Sequence, residues 1–160
     1  MLVCLILSIG GYAFYGSEIR MVEFAPNSQI TEIGDNAFGF SSGGKISTVI
    51  FPSTIKVIGE QAFLGQSRLT DIIIPEGLVS IKMMAFGGCS NLKGIVFPST
   101  LQTIQSKAFS GCSGITSIIC LSKEPPTVQD GAFNGVPKDN FTVEVPANAV
   151  TRYATDPVWG

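Results

Sequence analysis

The sequence predicts a solenoid, a right-handed stack of about five to six coils with a parallel sheet on its concave side. Three observations predict it. Ala-Phe recurs at Phe14, Phe38, Phe63, Phe86, Phe109 and Phe133, with the phenylalanines 24, 25, 23, 23 and 24 residues apart. Five residues before each stands a β-branched aliphatic, namely Ile9, Ile33, Ile58, Ile81, Ile104 and Val128, and two residues after each stands glycine except at Phe40. Between these blocks runs aliphatic-x-x-aliphatic-x-apolar: Ile19/Val22/Phe24, Ile46/Val49/Phe51, Leu69/Ile72/Ile74, Leu92/Ile95/Phe97 and Ile115/Ile118/Cys120. In-phase repetition at this period is the mark of a stacked-coil architecture.

Each element follows from its pattern. The apolar start, Met1 to Ile9, has no basic leading region and no small-residue cleavage site, so it does not read as a signal peptide. It is also far shorter than the roughly 18 apolar residues of a membrane span. Ile6 and Ile9 sit where Leu78 and Ile81 sit, which makes the start a repeat strand. In the aliphatic-x-x-aliphatic-x-apolar segment the second and third apolar residues share one face of an extended chain, because side chains alternate. The first points inward where the chain turns into the strand. Proline follows directly at Pro52, Pro75 and Pro98, and one residue late at Pro26; it cannot donate to a ladder and ends the strand. The later aliphatic pair and Ala-Phe bring the chain back. One coil cannot cover its own apolar residues, so stacking builds rows of Phe, Ile and Leu. In the tail, Val143 and Val145 can extend the sheet, and a short helical run with Tyr153 and Trp159 can cover the last coil.

Composition narrows the function. The chain has 160 residues, 45% of them hydrophobic and 14% charged, with a net charge of −2 and no histidine. No basic stripe is present, which argues against a nucleic-acid partner. Without histidine the usual general base and the commonest nitrogen metal ligand are missing.

The repeat unit Leu-x-x-Ile-x-Phe-Pro-x-x-Leu-x-x-Ile-x-x-x-Ala-Phe-x-Gly-Cys, matched almost position by position from Leu92 to Cys112, closely resembles the leucine-rich repeat of the BspA-like family of bacterial surface proteins. The resemblance covers roughly residues 6 to 136. The tail, with Pro125-Pro126, the Phe141 to Pro146 stretch, Tyr153 and Trp159, is similar to that family's closing segment. The resemblance implies a leucine-rich-repeat solenoid over residues 1–121 and a last repeat remnant with a C-terminal capping segment over 122–160. It implies a place at the cell surface or among secreted proteins, and a non-enzymatic adhesion module that binds a protein partner, either host matrix or another cell-surface protein. The chain is expected to be part of a longer one, with no direct membrane insertion. A structural spacer or stalk with no ligand of its own is the alternative.

Several residues invite chemistry and then decline it. Cys89 and Cys112 occupy one repeat position, with Ser17, Ser41 and Gln66 at the equivalent place elsewhere. Coils about 4.8 Å apart fall within the Cα window of a disulfide, yet both side chains point the same way into the core, so buried free thiols are expected. Cys120 fills an apolar strand position and Cys4 lies near the start. No Cys-x-x-Cys exists, and no metal or cofactor site is expected. Gly10, Gly34 and Gly59 follow repeat spacing, and Lys82 and Gln105 replace them later, so they are not a phosphate loop. The carboxylates fall at unrelated phases, the serines lack a histidine partner, and no catalytic residue is assigned. Asn140-Phe-Thr142 spells a glycosylation sequon only.

The outward strand positions are more informative. One column reads Glu23, Ile50, Ile73, Val96, Ile119, and its neighbour Met21, Thr48, Asp71, Gly94, Ser117. The candidate partner-binding residues are Met21, Glu23, Thr48, Ile50, Asp71, Ile73, Lys93, Val96 and Ile119. Four stacked β-branched apolar residues facing solvent suit a contact surface, and they equally suit plain β propensity.

Overall fold

The computed structural model of the chain describes residues 6–139 and 141–159. Cys4, the rest of the first five residues and Asn140 of the sequon lie outside the described residues. The alternation read from the sequence forms a sheet of six parallel strands: β2 (Met21–Glu23), β4 (Thr48–Ile50), β6 (Asp71–Ile73), β8 (Gly94–Phe97), β10 (Ser117–Cys120) and β12 (Thr142–Glu144). They lie in chain order, one coil beside the next, and Val22, Val49, Ile72, Ile95, Ile118 and Val143 are aligned across it.

The sequence reading anticipates one parallel sheet, and there are two. The aliphatic five residues before each Phe closes a two-residue strand in β1 (Ser8–Ile9), β3 (Glu32–Ile33), β5 (Val57–Ile58), β7 (Ser80–Ile81), β9 (Thr103–Ile104) and β11 (Thr127–Val128). These six strands form a second, narrower parallel sheet, with Ile9 paired to Ile33, Ile33 to Ile58, and so on to Val128. Two residues are too short a run for alternation to show, so only stacking reveals the strand.

The return past Ala-Phe is held by a third row of hydrogen bonds. The amides of Phe14, Phe38, Phe63, Phe86 and Phe109 each donate to the carbonyl of the next coil's alanine at 2.7 to 2.8 Å. This fixes the rings in one ladder, with centroids 5.2 to 5.6 Å apart and planes within 10° of parallel from Phe14 to Phe133. Two left-handed residues bracket five of the six Ala-Phe pairs, and Ala37-Phe38 has only the first. Gly16, Gly65, Gly88, Gly111 and Gly135 follow it with φ of 68° to 81°. Tyr12, Asn36, Gln61, Met84 and Lys107 precede it with φ of 53° to 58°, and Gly131 takes that place in the sixth coil. A non-glycine residue pays roughly 1–2 kcal/mol in this region. Four of the five offset that cost by donating their amides to the next coil: Tyr12 to Asp35, Asn36 to Glu60, Gln61 to Met83 and Met84 to Ser106.

Gly34 and Gly59 are needed for a different reason. Neither is left-handed, but a Cβ on Gly59 would stand 2.5 Å from the Ile33 carbonyl oxygen of the coil before.

The core between the sheets is the anticipated set of rows. Ile33, Ile58, Ile81, Phe63, Phe86, Phe109, Leu69 and Leu92 are all fully buried. At the C-terminal end Trp159 meets Phe133 edge-on, with centroids 5.7 Å apart. Its indole Nε1 donates to the Pro126 carbonyl at 3.2 Å. Helix α1 (Val150–Thr155) buries Tyr153 there, and the Tyr153 hydroxyl donates to the Ser122 carbonyl at 3.2 Å.

Candidate functional site

Alternation within each strand of the wide sheet decides which residue is core and which is surface. On β6, Ile72 is 3% exposed and its neighbour Ile73 is 77% exposed. Parallel pairing then carries the outward side chain from strand to strand. Glu23 aligns with Ile50, Ile50 with Ile73, Ile73 with Val96, Val96 with Ile119, and Ile119 with Glu144. Ile50 is exposed, while Val96 and Ile119 are half-buried between their neighbours. The result is an apolar stripe of four β-branched side chains with a carboxylate at each end. Beside it run Met21, Thr48, Asp71, Gly94, Ser117 and Thr142. Met21 is exposed at the first strand.

Eight of the nine candidate residues fall into these two columns. Lys93 does not. Gly94 is the partner of Asp71 and Ser117, and Lys93 stands one residue earlier, where its amide donates to the Thr70 carbonyl at 2.8 Å. It belongs to a flanking row in which the Thr116 amide donates to the Lys93 carbonyl in the same way, as the Ser47 amide does to Arg20. Lys93 is exposed, and the column that holds Gly94 separates it from the stripe.

Glu144 is the residue that sequence reasoning missed. The tail reads as a cap in which Val143 and Val145 can extend the sheet, without a repeat phase for Glu144. Val143 nevertheless holds the phase of Ile118, so the next residue had to face outward with Ile119. Among the described residues, no Lys or Arg nitrogen comes within 4.0 Å of Glu23, Asp71 or Glu144. The ion pairs formed are Lys82 with Glu32 and Asp35, and Arg152 with Glu124.

The remaining reactive side chains serve the interior. Cys89, Cys112 and Cys120 are buried free thiols. Cys89 Sγ donates to the Phe63 carbonyl at 3.4 Å, and Cys112 Sγ to the Phe86 carbonyl at 3.1 Å. The neighbouring Cys112 thiol and burial raise the Cys89 pKa well above the ordinary value. Burial pushes Cys120 up to about 12. Thiols held protonated in this way are poor nucleophiles. Among the described residues, no three His, Cys, Asp or Glu side chains are grouped to hold a metal ion, and no helix is long and apolar enough to cross a membrane. A depression of about 500 Å³ at the C-terminal end has Phe133, Val136, Phe141 and Trp159 in its walls, with Asp130 and Lys138 as its charged lining residues.

Known proteins agree with this geometry. The family described as BspA type leucine rich repeat region matches in six copies, over residues 5–116 and 39–154. No curated protein matches the chain. The crystal structure of a leucine-rich repeat protein from Bacteroides ovatus ATCC 8483 is similar, with 25% identity and a TM-score of 0.60. The similarity covers 90% of this chain and 42% of that one, so the chain spans less than half of that protein's length. The leucine rich repeat protein of T. pallidum shares the fold at 22% identity and a TM-score of 0.59, over 83% of this chain and 72% of that one. Repeats of this family generally form protein-interaction or repeat modules. With the family matched along nearly the whole repeat array, the chain belongs to the BspA-type leucine-rich-repeat family.

Proposed function

We propose that the chain is a non-enzymatic adhesion module of a bacterial surface or secreted protein, and that the outward face of the wide sheet is where it holds a protein partner. One observation carries the reading: the stripe Ile50, Ile73, Val96, Ile119, with Ile73 77% exposed at its middle. Contiguous apolar surface on a monomer marks a place that something covers. Met21, Thr48 and Asp71 beside the stripe, and Glu23 at its end, supply the polar rim that a protein interface has around its apolar centre. The partner fits the class of host matrix proteins or proteins on a neighbouring cell.

The test is a matched pair of substitutions one residue apart. Ile73→Glu should leave stability within about 1 kcal/mol of the parent, as an exposed strand site does, and should abolish adhesion to immobilised matrix proteins, because an unpaired charge then sits in the apolar centre. Ile72→Glu should unfold its coil. If Ile73→Glu adheres as well as the parent, the stripe is ordinary strand surface, and the chain is better read as a spacer.

A further inference from the structure

The stripe has a length, a period and charged ends, and together these select a partner. Strands of a parallel sheet lie about 4.8 Å apart. Four rungs therefore span about 14 Å, and the two terminal carboxylates stand about 24 Å apart along the stack. The strands themselves have only three or four residues, which is about 10–13 Å of width. A long partner must lie across the strands, along the row of coils.

Its backbone must then return an apolar side chain to the same side about every 4.8 Å. An α-helix does so once per turn, every 5.4 Å, and drifts by about 2 Å over three intervals. An extended peptide does so every second residue, about 6.7 Å, and drifts by about 6 Å, more than a whole rung. A polyproline helix returns about every 9 Å and reaches only alternate rungs. Of these backbones, the α-helix alone keeps a side chain on each rung.

The ends disfavour self-docking. Two copies laid face to face would bring Glu23 against Glu144, or each glutamate against its own counterpart, and both arrangements oppose like charges. Neither carboxylate has a cation within 4.0 Å among the described residues, so both are open to a partner's positive charge.

We infer that this face takes an amphipathic α-helix of another protein, laid along the stack, with apolar residues at successive turns and Lys or Arg near both ends, about 16 residues apart. The inference rests on the reading of this face as a docking surface.

The experiment displays random 20-residue peptides on phage, selects them on the intact chain, and measures synthetic copies of the winners by calorimetry and NMR. Winners should carry apolar residues at i, i+3 or i+4, and i+7, with basic residues flanking them, and should become helical when bound. Ile73→Glu should abolish their binding. The double change Glu23→Gln with Glu144→Gln should weaken it about threefold to tenfold at low salt, with the difference vanishing near 1 M salt. Winners that need Ile73 yet bind extended or proline-rich, or that ignore both glutamates, overturn the helix and leave the docking face standing. Winners indifferent to Ile73→Glu, or no winners at all, count against the docking face itself. A dimer in sedimentation that Ile73→Glu dissolves would make the occupant a second copy and overturn the inference.

Discussion

From Phe63 to Leu69, Phe86 to Leu92 and Phe109 to Ile115 the chain takes six residues to pass from the aromatic ladder to the next strand, whereas from Phe38 to Ile46 it takes eight. In the shorter passages the backbone closes the corner by itself. The amides of Gln66, Cys89 and Cys112 donate to the carbonyls of Phe63, Phe86 and Phe109, and those of Leu69, Leu92 and Ile115 donate to the carbonyls of Gln66, Cys89 and Cys112. The longer passage makes neither bond among the described residues. The side chain of Gln66, one coil further on, supplies both: its Nε2 donates to the Phe38 carbonyl at 2.7 Å, and its Oε1 accepts from the Ile46 amide at 3.0 Å. Gln66 is 2% exposed, and it stands at the position where Cys89 and Cys112 donate a thiol to the equivalent phenylalanine carbonyl. The difference teaches that a coil can absorb two extra residues if the adjacent coil returns the lost hydrogen bonds, because buried backbone groups must be paired.

The largest test of this comparison is on the ladder. Phe86→Ala empties a fully buried site between two stacked rings and should cost about 3–5 kcal/mol in chemical denaturation. Phe40→Ala, in the longer passage, removes a half-buried ring outside the ladder and should cost well under half of that. Equal losses would mean that the longer passage packs like the others.

Next comes the bridging amide. Gln66→Ala should cost about 2–4 kcal/mol, since two buried backbone groups lose their partners at once. Cys112→Ala should cost about 1 kcal/mol, because the weak thiol bond is dispensable where the backbone closes the corner itself. If the two variants melt alike, the Gln66 contacts are incidental.

Alkali should act on the short-passage coils and spare the longer one. Cys89 and Cys120 have raised pKa values in the folded chain, so the folded state keeps protons that the unfolded chain releases. Their stabilisation is complete below the ordinary thiol pKa, about 8.5, and is lost as pH rises through the folded values. Urea midpoints should fall between pH 8 and pH 10.5. Cys89→Ala and Cys120→Ala should each flatten that fall, and an unchanged slope in both would remove the thiols as its cause.

The smallest effect concerns the left-handed residue before Ala-Phe. Lys107→Gly should raise stability by about 0.5 kcal/mol, the relief of φ at 58° less the greater freedom of glycine in the unfolded chain. Asn36→Gly, at the same phase before the longer passage, should gain nothing, since asparagine tolerates this conformation and 8% exposure leaves the side chain packed. A loss for Lys107→Gly in thermal melting would show that its side chain contributes more than its backbone costs.

The sequence by itself determined the period, the phase of every inward row and the outward columns. These follow from alternation and repetition along one chain, and Ile72 and Ile73 fell on opposite faces as read. Only the tertiary structure decided the rest. The narrow sheet exists because coils stack, since two residues such as Val57 and Ile58 become a strand only through the neighbours that pair with them. The left-handed phase at Tyr12, Gln61 and Met84 was hidden, because no common side chain marks it and the next coil's carbonyl compensates the strain. Lys93, a candidate outside both columns, stands one residue before Gly94, whose pairing with Asp71 follows the column read from the sequence. Glu144 joined the stripe when β12 paired with β10, and Gln66 reached two groups 20 and 28 residues upstream across the stack. In each case the deciding contact links residues about one coil apart, a distance that pattern along the chain can suggest and only packing can fix.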